Sequence, residues 1–433
     1  MAIAHLLDSR LALPLRNANY GIYAAGNAVS LIGTWMQRIS VGWLTWELTH
    51  SGFWLGIVAF ADFVPVLLVG PIAGAAADRW DRMRVIKISQ SLSLVQATAL
   101  CALTATGHMT IGLLVLLTAI QGTLVAFNQP ARLALVPSLV GQADLASAVA
   151  INSVIFNLAR FVGPMIAGVV MVTSGVAASF GANALSYVAF LFALTRLRID
   201  PIPQRPGRRK SFRTDLQEGL HYTATHPAIA SVLVLLIAIG IGGRPLNELL
   251  PGFAAQVFQS GAGGLSILAS ATGGGAILGG LWLGHRVESS GLVSVALRCT
   301  LGGAFAAIAV CASETMWIAV PAVAVFGFCV SSAGIATQTI VQLAAEQSMR
   351  GRVMGLYGVI FRGAPAIGAL TAGTASAFFG LRWPIVAGAT IVIAAWVWAR
   401  CHRKQIEHAI PEPQPDSAPA QREAAPGHEA QAT

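Results

Sequence analysis

Charge is what this sequence has least of: 27 Lys and Arg and 18 Asp and Glu make up 10% of 433 residues, where a soluble globular domain carries about 25%. With 55% of residues hydrophobic, the shortage excludes an ordinary soluble protein and places most side chains in lipid. Lysine is scarcer still. Lys87, Lys210 and Lys404 are the only three, and none completes G-x-x-x-x-G-K-[ST], which excludes a Walker-type ATPase site. The glycines at 273–275 and 279–280 lie in an apolar stretch with no βα pattern, so they read as helix packing and not as a nucleotide loop. Cys101, Cys299, Cys311, Cys329 and Cys401 show no C-x-x-C spacing, so neither a disulfide framework nor a metal knuckle is indicated. No histidine falls at mid-span and no Ser/His/Asp set can be assembled at one depth, so the reading is of no enzyme, no cofactor and no metal. Residues 1–16 lack a continuous apolar core followed by a cleavage site, and no removable signal peptide is expected.

What the sequence has is long apolar runs. A membrane-crossing helix needs about 20 mostly apolar residues, and twelve such stretches stand between polar or Gly-rich breaks: 20–44, 55–77, 85–105, 111–127, 145–172, 176–197, 229–253, 266–283, 292–311, 316–343, 353–379 and 384–399. The expectation is an all-α polytopic membrane protein. Its segments are a cytoplasmic N-terminus (1–19), a six-helix bundle (20–197), a cytoplasmic linker with an amphipathic helix (198–228), a second six-helix bundle (229–403) and a disordered cytoplasmic tail (404–433). With both termini inside, 22 of the 27 Lys and Arg fall in cytoplasmic segments and only Arg382 outside, as the positive-inside rule requires. The net charge of +9 therefore marks membrane topology, and no nucleic-acid partner is expected. Trp43, Trp46, Trp54, Trp317 and Trp383 fall at outer ends and read as an interfacial belt. In the linker, Phe212, Leu216 and Leu220 recur at i, i+4 and i+8, and Thr214 with Gln217 gives a weak capping-box signal.

The two bundles read as a duplication. Arg38 and Arg244 stand 206 residues apart, as do Asp78 and Gly284, while Arg160 and Arg362 stand 202 apart. A doubled six-helix unit handles its cargo between the halves, near the bilayer midplane.

The loop after the second stretch reads Gly74-Ala-Ala-Ala-Asp78-Arg79-Trp-Asp-Arg82-Met-Arg84, and it resembles the loop signature of the major facilitator superfamily. That resemblance implies two pseudo-symmetric six-helix bundles and alternating access. It also implies a gating role for Gly74, Asp78, Arg79, Arg82 and Arg84, with residues 351–354 as the helix partner. The second copy, Gly280-Leu-Trp-Leu-Gly284-His285-Arg286, has lost the acid. The fifth stretch carries Arg160-Phe-Val-Gly163-Pro164-Met-Ile-Ala-Gly168, similar to the Gly-Pro motif of proton-driven exporters in the superfamily, with Ala167 in place of a glycine. Gly163, Pro164 and Gly168 permit bending and close helix approach, so they serve coupling or plain packing. Together with Asn128-Gln-Pro130-Ala-Arg132, Asn152-Ser153 and Arg350-Gly-Arg352-Val-Met354, the pattern resembles the enterobactin-exporter and drug/proton-antiporter branch, from about residue 17 to 403. One departure bears on mechanism. Thr118 stands where many drug antiporters of the family carry an arginine before Gln121-Gly122, so any coupling charge sits elsewhere.

Charge inside a membrane is costly, which makes each intramembrane ionisable residue a candidate for function. These are Arg38, Asp62, Arg160, Arg244 and Arg362, with Glu248 near the outer end of the seventh stretch. Counting from the helix ends puts Arg38 and Asp62 at roughly 13 and 16 Å depth in neighbouring antiparallel helices, within reach of one another. Arg244 and Glu248 are spaced i, i+4 with Pro245 between them. Asp62 is the proton-acceptor candidate: a dry cavity favours its neutral form and Arg38 its charged form, so a conformational change can switch it. The alternative is a permanent structural pair. Four arginines against two carboxylates favour anionic or acidic amphiphilic cargo.

The sequence reads as a secondary transporter exporting a small organic molecule, siderophore-like or drug-like, in exchange for protons across the inner membrane, and sufficient as a monomer. An uptake symporter or facilitator stays open, as does a transport-dead scaffold or sensor whose basic segment at 205–213 binds a partner or anionic membrane lipid.

Overall fold

A computed structural model describes residues 13–197, 212–285 and 291–408. Twelve long helices follow one another: α1 (Ala18–Thr49), α2 (Gly52–Arg79), α3 (Arg82–Ala105), α4 (Ile111–Leu139), α5 (Leu145–Ser174), α6 (Val176–Arg196), α7 (Pro227–Val257), α8 (Gly261–His285), α9 (Leu292–Ala312), α10 (Met316–Ala344), α11 (Arg350–Phe379) and α12 (Arg382–Cys401). Eleven of them are long and apolar enough to cross a membrane unaided. The first is not, because Asn27, Ser30, Gln37, Ser40 and Thr45 interrupt it; all five are buried against the rest of its own bundle.

The two bundles are held together differently. In the first, Gln37 Nε2 donates to Gln96 Oε1 at 3.1 Å, Asn183 Nδ2 donates to Gln37 Oε1 at 2.8 Å, and Ser40 donates to Ser179 at 2.7 Å. These bonds link α1 to α3 and α6. Interhelical bonds of this kind contribute about 0.6 kcal/mol each in a membrane, so several are needed where helix-to-helix apolar burial gives no net gain over lipid. The second bundle relies on small residues. Gly275 lies against the Ala324 carbonyl and Gly327 against that of Thr272, bringing α8 and α10 together over an apolar core that includes Ile229, Val232, Ile340 and Val353.

Close contact between the bundles is concentrated at the end away from the basic loops. Gly52 and Gly56 of α2 pack on Ser376, Ala369 and Gly373 of α11, Gly168 of α5 on Ser266 of α8, and Gly252 of α7 on Trp46 of α1. At the basic end Gly70 and Gly74 of α2, and Gly351, Gly355 and Gly358 of α11, face open space. The halves are therefore sealed at one end and parted at the other.

Several sequence expectations are corrected. Helix α4 runs to Leu139 and not to residue 127, because Pro130 and Pro137 lie inside it; proline is tolerated in a membrane helix where neighbours re-satisfy the freed backbone. This moves Arg132 from a cytoplasmic loop into the bundle. Trp43 and Trp46 are buried, while Trp317 and Trp383 are 88% and 68% exposed, so only part of the tryptophan set can form a lipid-facing belt. The linker helix spans Phe212–Thr225, which puts Thr214 inside its first turn and not at its cap. Leu220 is exposed; the helix docks through Gly219, which lies against Arg352, and through Glu218, 2.7 Å from Arg352 Nη1. Residues 403–408 form a short helix with Ile406 buried, so the tail's first residues are ordered; 409–433 lie outside the described residues.

Candidate functional site

Three charged side chains meet between the halves near the sealed end. Arg38 lies eleven residues before the end of α1, Asp62 ten residues into α2 and Glu248 nine before the end of α7, all about 15 Å from that end at ~1.5 Å per residue. Arg38 Nη2 donates to Glu248 Oε1 at 3.0 Å, and Arg38 Nη1 stands 3.5 Å from Asp62 Oδ2. The depth count thus brought Arg38 and Asp62 together, but the shorter contact crosses to the other half. The three side chains are 22 to 34% exposed, reachable by water yet shielded enough for a close ion pair to exceed the 0 to 1 kcal/mol of a surface pair. Trp35 and Phe63 hold the guanidinium in place, with ring centroids 5.6 and 5.0 Å from its central carbon.

Arg244 and Glu248 do not pair, contrary to their i, i+4 spacing. A π-helical turn at Ile239–Gly243 precedes them, and the Arg244 amide bonds Ile239 O, five residues back, at 2.9 Å. Gly240 and Gly242 let this wide turn press on Ala364 of α11 and Gly388 of α12. Arg244 turns to α11, donating to Phe361 O at 3.2 Å and covering the Phe361 ring at 4.6 Å, which leaves Glu248 free for Arg38. Arg160 lies over Trp35 at 5.8 Å, and Arg362 Nη2 donates across the interface to Gln129 Oε1 at 2.6 Å.

The remaining candidates are dispersed. Gly163 of α5 packs on Trp35 and the Ile32 carbonyl of α1, inside its own half, whereas Gly168 forms part of the seam with α8. Pro164 is buried between them within α5. In the gating-loop motif Arg82 Nη1 donates to Ala134 O at 3.0 Å, and Arg84 accompanies Asp81, the cap of α3. Asp78 and Arg79 lie in the last turn of α2, with their side chains outside the described residues. Thr118 is buried and donates to Leu114 O. Among the described residues no cluster of three His, Cys, Asp or Glu could hold a metal.

Sequence reasoning missed Arg132. It donates to Asn27 Oδ1 at 2.6 Å and to Ser30 Oγ at 3.4 Å, over the Phe190 ring at 4.6 Å, joining α4 to α1 and α6. It missed Gln129 too. Both belong to the Asn128-Gln-Pro-Ala-Arg132 run, just past residue 127 where the fourth stretch was ended; the absence of any glycine or acid in 123–140 is the signal that the helix continues.

Residues 9–424 match the family described as transmembrane secretion effector. The chain belongs to the major facilitator superfamily. Among curated proteins it is 29% identical to the staphyloferrin A transporter of Staphylococcus aureus (strain NCTC 8325 / PS 47) over 61% of this chain and 66% of that one. It is 26% identical to the enterobactin exporter EntS of Escherichia coli O1:K1 / APEC over 76% and 78%. Among solved structures, a bacterial homologue of the human lysosomal transporter Spinster, in an inward-facing and unoccupied conformation, superposes with a TM-score of 0.73 at 14% identity, covering 93% of this chain and 99% of that one. The superfamily fold is consistent with the twelve helices, and this member is a multi-pass secondary transporter of small molecules.

Proposed function

We propose that this protein exports a small anionic or amphiphilic organic molecule of siderophore or drug type across the bacterial inner membrane in exchange for protons. In this reading both termini are cytoplasmic, the basic end is the cytoplasmic end, the present conformation is inward-open, one chain suffices, and no chemical reaction is catalysed. The names of the staphyloferrin and enterobactin relatives support the cargo class and, for the second, the direction.

The observation that carries the coupling reading is the sharing of Arg38 between Asp62 of its own half and Glu248 of the opposite half. Sealing the outer end forms the Arg38–Glu248 pair across the halves, while Arg38 keeps Asp62 within its own half. An anionic cargo entering the same cavity repels the carboxylates and loosens the pair, so the outer seam can part. Once parted, Glu248 loses its guanidinium, and re-forming the pair closes the seam on the return; this breaking and re-forming is where the reading places the exchange for protons. Each step uses the differential stability of one state.

The experiment is cargo-evoked proton release from energised inverted vesicles, screening siderophores and amphiphilic drugs, with Glu248→Gln and Asp62→Asn beside wild type. Release in wild type and its loss in Glu248→Gln support the proposal. Transport without proton movement makes the protein a facilitator.

A further inference from the structure

The arginines of the cavity divide into two classes by what holds them. Arg38 has two carboxylates. Arg160, Arg244 and Arg362 have none: their contacts are the Trp35 ring, the Phe361 carbonyl and ring, and the Gln129 amide oxygen. Arg160 and Arg38 lie over the same Trp35 ring, and Arg244 lies over Phe361, next in the chain to Arg362. Glu248 is within electrostatic reach of Arg160 and Arg244, but its ion pair is with Arg38. Four guanidiniums against Asp62 and Glu248, between two bundles at membrane depth, form a costly arrangement in the absence of added negative charge.

The duplication explains how the imbalance arose. Arg38 and Arg244 are repeats at an offset of 206, but the same offset takes Asp62 to Leu268 and Glu248 to Gly42. The arginines are present in both halves, whereas each acid occurs once, and both acids converge on Arg38. Leu268 is fully buried and Gly42 packs on Pro251, so the vacated positions have become packing surface and supply no counter-charge to Arg244.

We infer that Arg160, Arg244 and Arg362 form the cargo site and that it takes a small molecule bearing two or more anionic groups, such as a polycarboxylate, while Arg38 is reserved for the coupling acids. The inference rests on the anionic-cargo reading above and specifies its site. The neutral contacts act as placeholders. A carboxylate bonds a guanidinium more strongly than a carbonyl or amide oxygen does, and bidentately, so cargo can displace Gln129 from Arg362 and the Phe361 carbonyl from Arg244. A monoanion leaves one of the two excess positive charges uncompensated, and a cation meets repulsion. Because Gln129 belongs to one half and Arg362 to the other, displacing that bond also frees a tie between the halves.

The test is equilibrium binding of radiolabelled citrate to the purified full-length transporter in lipid nanodiscs at pH 7, at constant ionic strength, against acetate and tetraethylammonium as competitors. Saturable citrate binding that acetate and tetraethylammonium fail to displace, weakened at least tenfold in Arg244→Gln and in Arg362→Gln, is the expected result. Arg244→Lys and Arg362→Lys retain charge and should recover part of the affinity, which separates lost recognition from lost folding. Arg403→Gln, at the basic surface beside Glu407, should bind as wild type. Absence of citrate binding, binding that survives both glutamine variants, or equal displacement by acetate overturns the inference. Binding without cargo-evoked proton release keeps this site and removes the coupling reading; proton release evoked only by cations keeps coupling and removes this site.

Discussion

Arg38 of α1 and Glu248 of α7 are 3.0 Å apart and belong to opposite halves of the transporter, whereas Arg38 and Asp62, 3.5 Å apart, belong to the same half. Only the first contact must break when the outer seam opens. In the proposed cycle this makes Glu248 the first residue to test, with Asp62 left to compensate Arg38 once Glu248 has moved away.

Glu248→Gln should abolish cargo-evoked proton release while leaving cargo binding in nanodiscs, where both faces meet the solution, within about threefold of wild type. Asp62→Asn should reduce release without abolishing it. Proton release from inverted vesicles and binding isotherms in nanodiscs check both.

Enlarging the seam glycines should bias the access equilibrium. At Gly56 a Cβ would stand 2.5 Å from Ala369 O, and at Gly373 it would stand 2.7 Å from Gly52 O. Both obstacles are backbone and cannot swing aside. Gly56→Val is expected to disfavour the sealed outer end and to cut transport at least tenfold, with outer-facing cysteine labels becoming reactive.

The Arg132 site predicts a stability effect with no change in coupling. Arg132→Gln removes bonds to Asn27 and Ser30 and the cover over Phe190. Bonds from a charged donor contribute about 1.5 to 3 kcal/mol, so the melting temperature in detergent should fall by several degrees. The ratio of protons to cargo should stay unchanged.

The linker helix should tune the opening at the basic end weakly. Glu218 is 48% exposed and meets Arg352 at 2.7 Å, so Glu218→Gln is expected to change the access equilibrium by no more than about 1 kcal/mol. The effect should shrink as salt rises, which a salt series of transport rates reads directly.

The twelve spans were legible because lipid imposes one strong constraint, long apolar helices. The Arg38–Asp62 pair followed from depth arithmetic along two straight helices. The i, i+4 spacing of Arg244 and Glu248 is kept in the α-helical segment after the π turn, but it did not decide the pairing: Arg244 goes to the Phe361 carbonyl and Glu248 to Arg38, both on other helices. Arg132 and Gln129 were misplaced because Pro130 and Pro137 are breakers in water and not in a packed membrane bundle. Which carboxylate Arg38 prefers is a property of how the halves meet, so it is invisible in either half alone.

The most direct test of the central claim is a distance across the basic end, between spin labels at Gly70→Cys and Gly355→Cys in a background without the five native cysteines, measured in nanodiscs. Both positions face open space. If the Arg38–Glu248 pair holds the other end sealed, the protein with Glu248 intact should show the long distance, and Glu248→Gln should shift the population to the short one. A Glu248→Gln variant that keeps the long distance would contradict the account.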